Sequence, residues 1–168
     1  TGIGHVRYPT EGSINACCAQ PFSVSFKSGS LGLSHNGNLV NADEIREELA
    51  GLGHAFTSDG DTEVIAHDIA RNLLEEDLIR AVKRTMERIH GSYSLTIMHD
   101  ESVIGVRDPE GNRPLCIGEL DDGYVLASES AVIDTLDGEL ARDVEPGELV
   151  VLDSDGSGYD SYQLVDRD

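Results

Sequence analysis

Ser34-His35-Asn36-Gly37-Asn38-Leu39-Val40-Asn41 follows a short apolar run, Leu31-Gly32-Leu33, and decides how the rest of the chain is read. An Asn-Gly pair at the end of such a run offers a side-chain amide and an unhindered backbone N–H, two donors that suit a developing oxyanion. Upstream lies Gly4-His5-Val6-Arg7-Tyr8-Pro9-Thr10, in which the Arg7 guanidinium matches a carboxylate by a two-pronged contact. Downstream lies Asp61-Thr62-Glu63-Val64-Ile65, where Asp61 supplies a counter-charge for an ammonium. A carboxylate anchor and an ammonium anchor together describe a free amino acid. Each block also has a plainer reading. Asn36-Gly37 is the commonest short hairpin signal, Arg7 in a strand is an ordinary surface or ion-paired residue, and Asp61 before Thr62-Glu63 is a helix N-cap. The ordered set of three favours a site over three unrelated turns.

In that order the blocks resemble the glutamine-binding half of the class II, N-terminal-nucleophile glutamine amidotransferases. Four further strings resemble the amidophosphoribosyltransferase family, whose members make phosphoribosylamine at the opening of purine synthesis. They are Gly91-Ser92-Tyr93-Ser94-Leu95, Val106-Arg107-Asp108-Pro109-Glu110-Gly111-Asn112-Arg113-Pro114-Leu115, Ala127-Ser128-Glu129-Ser130 and Arg142-Asp143-Val144-Glu145-Pro146-Gly147-Glu148. The Arg-Asp-Pro-x-Gly-x-Arg-Pro-Leu pattern separates this family from the glucosamine-phosphate synthases, and the asparagine synthetases carry a looser version. The resemblance runs from Thr1 to about Gln163.

The resemblance implies an α+β fold of the N-terminal-nucleophile hydrolase type, a four-layer α-β-β-α sandwich with two antiparallel sheets. It implies L-glutamine as ligand, with Asn36 (side-chain amide) and Gly37 (backbone N–H) as the oxyanion hole. Arg7 is then the α-carboxylate anchor, Asp61 the α-ammonium anchor, and Tyr8 and Thr10 secondary contacts. Asp59, in Thr57-Ser58-Asp59-Gly60-Asp61, is the alternative acidic anchor. No metal or cofactor is expected in this chain; magnesium with phosphoribosyl pyrophosphate belongs to the family's transferase domain, and a homo-oligomer is expected of the full enzyme.

The family nucleophile is an N-terminal Cys whose own α-amine acts as base, and this chain starts with Thr1. Residues 1–168 are therefore read as a partial glutamine domain. The nucleophile segment upstream and the phosphoribosyltransferase domain downstream are absent, and the piece alone is expected to be inactive. Thr1 as a substitute nucleophile is set aside, because the family places that residue dozens of positions before the Arg7 strand. His5 and His35 are set aside as catalytic bases, since the α-amine fills that role and a His beside a strand end usually bonds locally. Two other functions stay open: another class II amidotransferase, of the glucosamine-phosphate or asparagine type, and a non-catalytic glutamine-binding module.

A chain of 168 residues suits one domain with a core of useful size. No run of about 18 apolar residues and no basic-then-apolar leader occurs, so no membrane span or secretory signal is expected and the cytoplasm is the default. The net charge is −20, and the lysines are Lys27 and Lys83. Such a surface opposes nucleic-acid binding and repels itself at low salt; a salt-loving source is the favoured explanation and an acidic protein of an ordinary cytoplasm the alternative. Cys17, Cys18 and Cys116 have no metal spacing and are read as buried free thiols.

Strands are expected over Thr1–Tyr8, Pro21–Phe26, Leu31–His35, Tyr93–His99, Val103–Arg107, Leu115–Gly118, Tyr124–Ser128 and Glu148–Leu152. Helices are expected over Ala42–Ala50 with Asn41 and Glu44 as a capping box, from near Asp61 with an Ile65/Ile69/Leu73 stripe, over Asp77–His90, and over Ala131–Leu136. Asp153–Asp160 reads as a turn or the lead into a linker. Arg107, Asp108, Arg113 and Glu129 are expected to form buried ion pairs.

Overall fold

The structure is a computed structural model, which describes residues 1–6, 18–27 and 29–165. A long strand, β2 (Gly29–Leu39), organises one sheet, flanked by β1 (Phe22–Phe26) on one side and β3 (Gly91–His99) on the other. The sheet continues through β4 (Ser102–Arg107), and its remaining members are β8 (Glu148–Leu152) and β9 (Tyr159–Gln163). Every pairing is antiparallel, in the order β1-β2-β3-β4-β8-β9. A second antiparallel sheet has β5 (Cys116–Leu120) between β6 (Gly123–Ala127) and β7 (Glu139–Asp143).

The alternation of side chains along each strand decides what covers each face. On the larger sheet Ile104, Val106 and Leu149 join Leu31, Leu33, Leu95 and Ile97 under the helices α1 (Ala42–Gly51), α2 (Asp61–Asn72) and α3 (Leu78–Arg88). Ile45, Leu49, Val64, Ile65, Ile69, Val82 and Met86 are the buried stripes of those helices. The intervening residues Val103, Val150 and Leu152 face the other way and meet Leu115, Ile117 and Val144 of the second sheet and its flanks. Beyond that sheet Ile133, on α4 (Ser130–Thr135), packs on Cys116 and Ala127. The result is four layers, helix, sheet, sheet, helix, as expected. Arg142 of β7 grips Glu148 of β8 through a two-pronged ion pair at 2.8 and 2.7 Å, tying one sheet to the other.

Several local expectations are corrected. Asn36-Gly37 is not a hairpin turn: both residues lie inside β2, paired with Ser94 and Tyr93. Thr1–Val6 has no regular structure, and the rest of the expected first strand lies outside the described residues. The Asn41 side chain caps nothing; its amide bonds the Arg88 carbonyl and the His90 N–H, fastening the start of α1 to the end of α3. Asp77 does cap α3, accepting from the Arg80 N–H at 3.0 Å. Strands β7 and β9 were not expected; residues 153–158 are the turn of the β8–β9 hairpin, not a linker.

The expected ion pairs among Arg107, Asp108, Arg113 and Glu129 do not form. Arg107 donates instead to the carbonyls of Gly111, Arg113 and Val144. Asp108, fully buried, accepts from the backbone N–H groups of Tyr93, Asn112 and Arg113. A buried carboxylate and a guanidinium are satisfied here by backbone, which braces the loop and needs no partner of opposite charge. Cys18 and Cys116 are buried and form no disulfide among the described residues; Cys17 lies outside the described residues.

Candidate functional site

Strand β1 pairs with β2 only as far as Leu33, so Ser34–Leu39 is bordered by β3 on one side and has no described strand on the other. The backbone groups on that open edge are identifiable. The His35 N–H donates to Gln20 Oε1 at 2.6 Å and the Leu39 N–H to Asp61 Oδ2 at 3.1 Å. Successive N–H groups of a strand alternate in direction, so the N–H of Gly37, midway between them, points out of the same edge. The residue must be Gly for reasons of space: φ is +153°, and a Cβ would stand 2.0 Å from the Ser92 carbonyl oxygen of β3. The side-chain amide of Asn36 has no hydrogen-bond partner among the described residues. Two donors of the kind an oxyanion needs thus stand side by side on one strand edge.

Asp61 opens α2 as its first residue; the cap position is Gly60, so the N-cap reading of Asp61 is corrected. The Asp61 carboxylate stands against β2, with Oδ1 3.4 Å from His35 Nδ1 and Oδ2 on the Leu39 N–H. Burial, the largest influence, opposes its ionisation. Contact with His35 and the N–H groups of Leu39 and Thr62 outweighs that and holds its pKa below the ordinary carboxyl value. Its side chain keeps 21% exposure, toward a cavity.

The loop that carries Asp59 and leads into Asp61 is fastened by Glu63, which sequence reasoning left without a role. Glu63, 1% exposed, accepts from the Thr57 N–H at 2.7 Å, Thr57 Oγ1 at 3.0 Å, the Ser58 N–H at 2.7 Å and Ser58 Oγ at 2.6 Å. Burial opposes its charge most strongly, yet the four donors carry its pKa below the usual value. Arg46 of α1 completes the brace, reaching the carbonyls of Ser58 and Gly60 at 2.8 Å each. The alternative anchor, Asp59, is exposed and takes the Cys18 thiol at 3.3 Å.

These groups converge on one cavity of about 940 Å³, lined among others by Asn36, Gly37, Asp61, His35, Gln20 and Arg113. That volume is ample for a free amino acid. Gly4, His5 and Val6 line it too. Arg7, Tyr8 and Thr10, the expected carboxylate anchor and its neighbours, lie outside the described residues. Thr1 is exposed and lines a separate cavity of about 460 Å³ beside Asp122 and Asp155, away from Asn36 and Gly37. Among the described residues no cluster of three or more His, Cys, Asp or Glu side chains is arranged to hold a metal.

A family model described as a glutamine amidotransferase domain matches residues 13–135. The chain belongs to this family. The amidophosphoribosyltransferase of Archaeoglobus fulgidus is 50% identical over 151 residues, covering 89% of this chain and 33% of that protein. Its counterpart in Methanocaldococcus jannaschii is 48% identical over 152 residues, covering 90% of this chain and 32% of that protein. Among solved structures, the glutamine phosphoribosylpyrophosphate amidotransferase from B. subtilis, complexed with ADP and GMP, superposes with a TM-score of 0.85. It is 37% identical and covers 96% of this chain and 34% of that one. The chain therefore spans about a third of the length of the relatives it matches. The four layers are those of the N-terminal-nucleophile glutamine amidotransferase fold.

Proposed function

We propose that this domain is the glutamine-binding part of an amidophosphoribosyltransferase, releasing ammonia from L-glutamine for transfer to phosphoribosyl pyrophosphate. The observation that carries the reading is the open edge of β2, where Asn36 and Gly37 line one cavity with the Asp61 carboxylate. A thiolate from an N-terminal Cys, outside these residues, attacks the carboxamide carbon. The carbonyl oxygen becomes an oxyanion that Asn36 and Gly37 stabilise, ammonia leaves with a proton, and water then releases glutamate from the thioester. Asp61 holds the α-ammonium and Arg7 the α-carboxylate, with Tyr8 and Thr10 beside it. The phosphoribosyl transfer, its magnesium and the homo-oligomer belong to the rest of the enzyme, in the cytoplasm of an organism with a salty interior. No described helix is long and apolar enough to cross a membrane.

The test is Asn36→Ala in the full-length enzyme. Loss of an oxyanion donor slows glutamine-dependent synthesis by about 10²–10³, while synthesis from added ammonia continues because no amide needs cleaving. Equal loss of both activities would overturn the assignment.

A further inference from the structure

We infer that His35 is a positioning residue: its Nδ1–H fixes the Asp61 carboxylate in the orientation that receives the α-ammonium of the substrate. The inference rests on the proposed glutamine reading and extends it to a residue outside the proposed substrate contacts.

His35 sits on β2 immediately before Asn36, 3% exposed, on the face that meets α2. Its backbone N–H is taken by Gln20, so the strand is held there without any help from the ring. The ring places Nδ1 3.4 Å from Asp61 Oδ1 and leaves Nε2 buried with no partner among the described residues. A side chain retained for packing alone gains nothing from an unsatisfied buried nitrogen, which a leucine would avoid. The gain is at Asp61. One carboxylate oxygen lies 3.4 Å from His35 Nδ1 and the other accepts from the Leu39 N–H, both groups on one strand. A carboxylate has about four lone-pair directions, so each oxygen keeps one for a ligand. With one oxygen bonded to the strand and the other facing the ring, the carboxylate's rotamer freedom is restricted before the substrate arrives, which strengthens binding without any new contact. The same strand carries Asn36 and Gly37, so the oxyanion end and the ammonium end of the site are set by one register.

Asparagine and glutamine separate this role from a structural one. An Asn amide places its NH₂ where Nδ1 stands, whereas a Gln amide places it near Nε2. In the full-length enzyme, His35→Gln raises the KM for glutamine about tenfold, the scale of one hydrogen bond to a charged group, with a smaller change in kcat. His35→Asn restores most of the loss. Discrimination between glutamine and 5-amino-5-oxopentanoate, which lacks the α-amino group, falls in His35→Gln and recovers in His35→Asn. In an Asp61→Asn background, His35→Gln adds no further KM effect, as expected when one residue acts through the other. If His35→Gln and Asp61→Asn add fully, or His35→Asn is no better than His35→Gln, His35 is not a positioning residue. If Asp61→Asn alone leaves KM unchanged, the glutamine reading of Asp61 is wrong and the inference falls with it.

Discussion

Glu63→Gln should destabilise the protein by about 3 kcal/mol, although the replacement has the same shape and the site is not at the oxyanion hole. The Glu63 carboxylate, 1% exposed, collects two backbone N–H groups and two hydroxyls within 2.6–3.0 Å. A Gln amide keeps one acceptor oxygen and turns an NH₂ toward the other pair. The hydroxyl there can rotate to accept, but the backbone N–H cannot, and an orphaned donor costs about 1–3 kcal/mol. The two retained bonds lose their charge assistance, about 0.5–1 kcal/mol each. At about 2–4 °C per kcal/mol for a chain of this size, Tm should fall by about 6–12 °C at pH 7, measured by circular dichroism. The sign with pH follows from the depressed folded pKa of Glu63, which burial raises and the Ser58 and Thr57 donors lower further. Its stabilisation is present above the ordinary 4.5 and is lost as pH falls through the folded value, so wild type and variant should converge in acid. A shift below 2 °C, or the same gap at pH 7 and pH 3, would mean that the Glu63 carboxylate does not brace this loop.

Gly37→Ala places a Cβ 2.0 Å from the Ser92 carbonyl oxygen and should part β2 from β3, lowering Tm and abolishing glutamine-dependent activity together; an unchanged Tm would contradict the geometry. Arg142→Ala leaves the buried Glu148 carboxylate without its two-pronged partner and should cost about 3 kcal/mol at neutral pH. Because burial opposes but Arg142 and Ser161 overcome it to hold the Glu148 pKa low, that penalty should shrink as pH falls below the ordinary 4.5, which melts at pH 7 and pH 3 would check. Burial first, then the charge of His54 only 3.1 Å away and that of Arg46, depress the His67 pKa against the pull of Glu63. The protein should therefore lose stability as pH falls from 6.5 through the folded value, and His67→Gln should flatten that slope in urea titrations. At a net charge of −20, Tm should be higher in molar than in millimolar KCl; equal values would remove the salt argument.

What the sequence revealed and what it hid follow from the range of the forces involved. Helices α2 and α3 were legible because Ile65, Ile69, Val82 and Met86 repeat at helical spacing along a buried face. Strands β7 and β9 were hidden, since nearly all their side chains are exposed or half-exposed and show no apolar alternation. Asn36-Gly37 carries the local signature of a turn, and only the close passage of Ser92 reveals why a strand needs a glycine there. Asn41 was expected to cap α1, but the Arg88 carbonyl and His90 N–H, far along the chain, claim its amide. The order Asn36, Gly37, Asp61 was readable as a motif. That His35 would reach across to Asp61 was not, because nothing in strand periodicity says which helix end will lie over a given residue.

The most direct test is a structure of the enzyme with L-glutamine bound. The carboxamide oxygen should lie beside the Asn36 amide and Gly37 N–H at the open edge of β2, and the α-ammonium on Asp61. An α-ammonium held by Asp59, or glutamine bound away from that edge, would contradict this assignment.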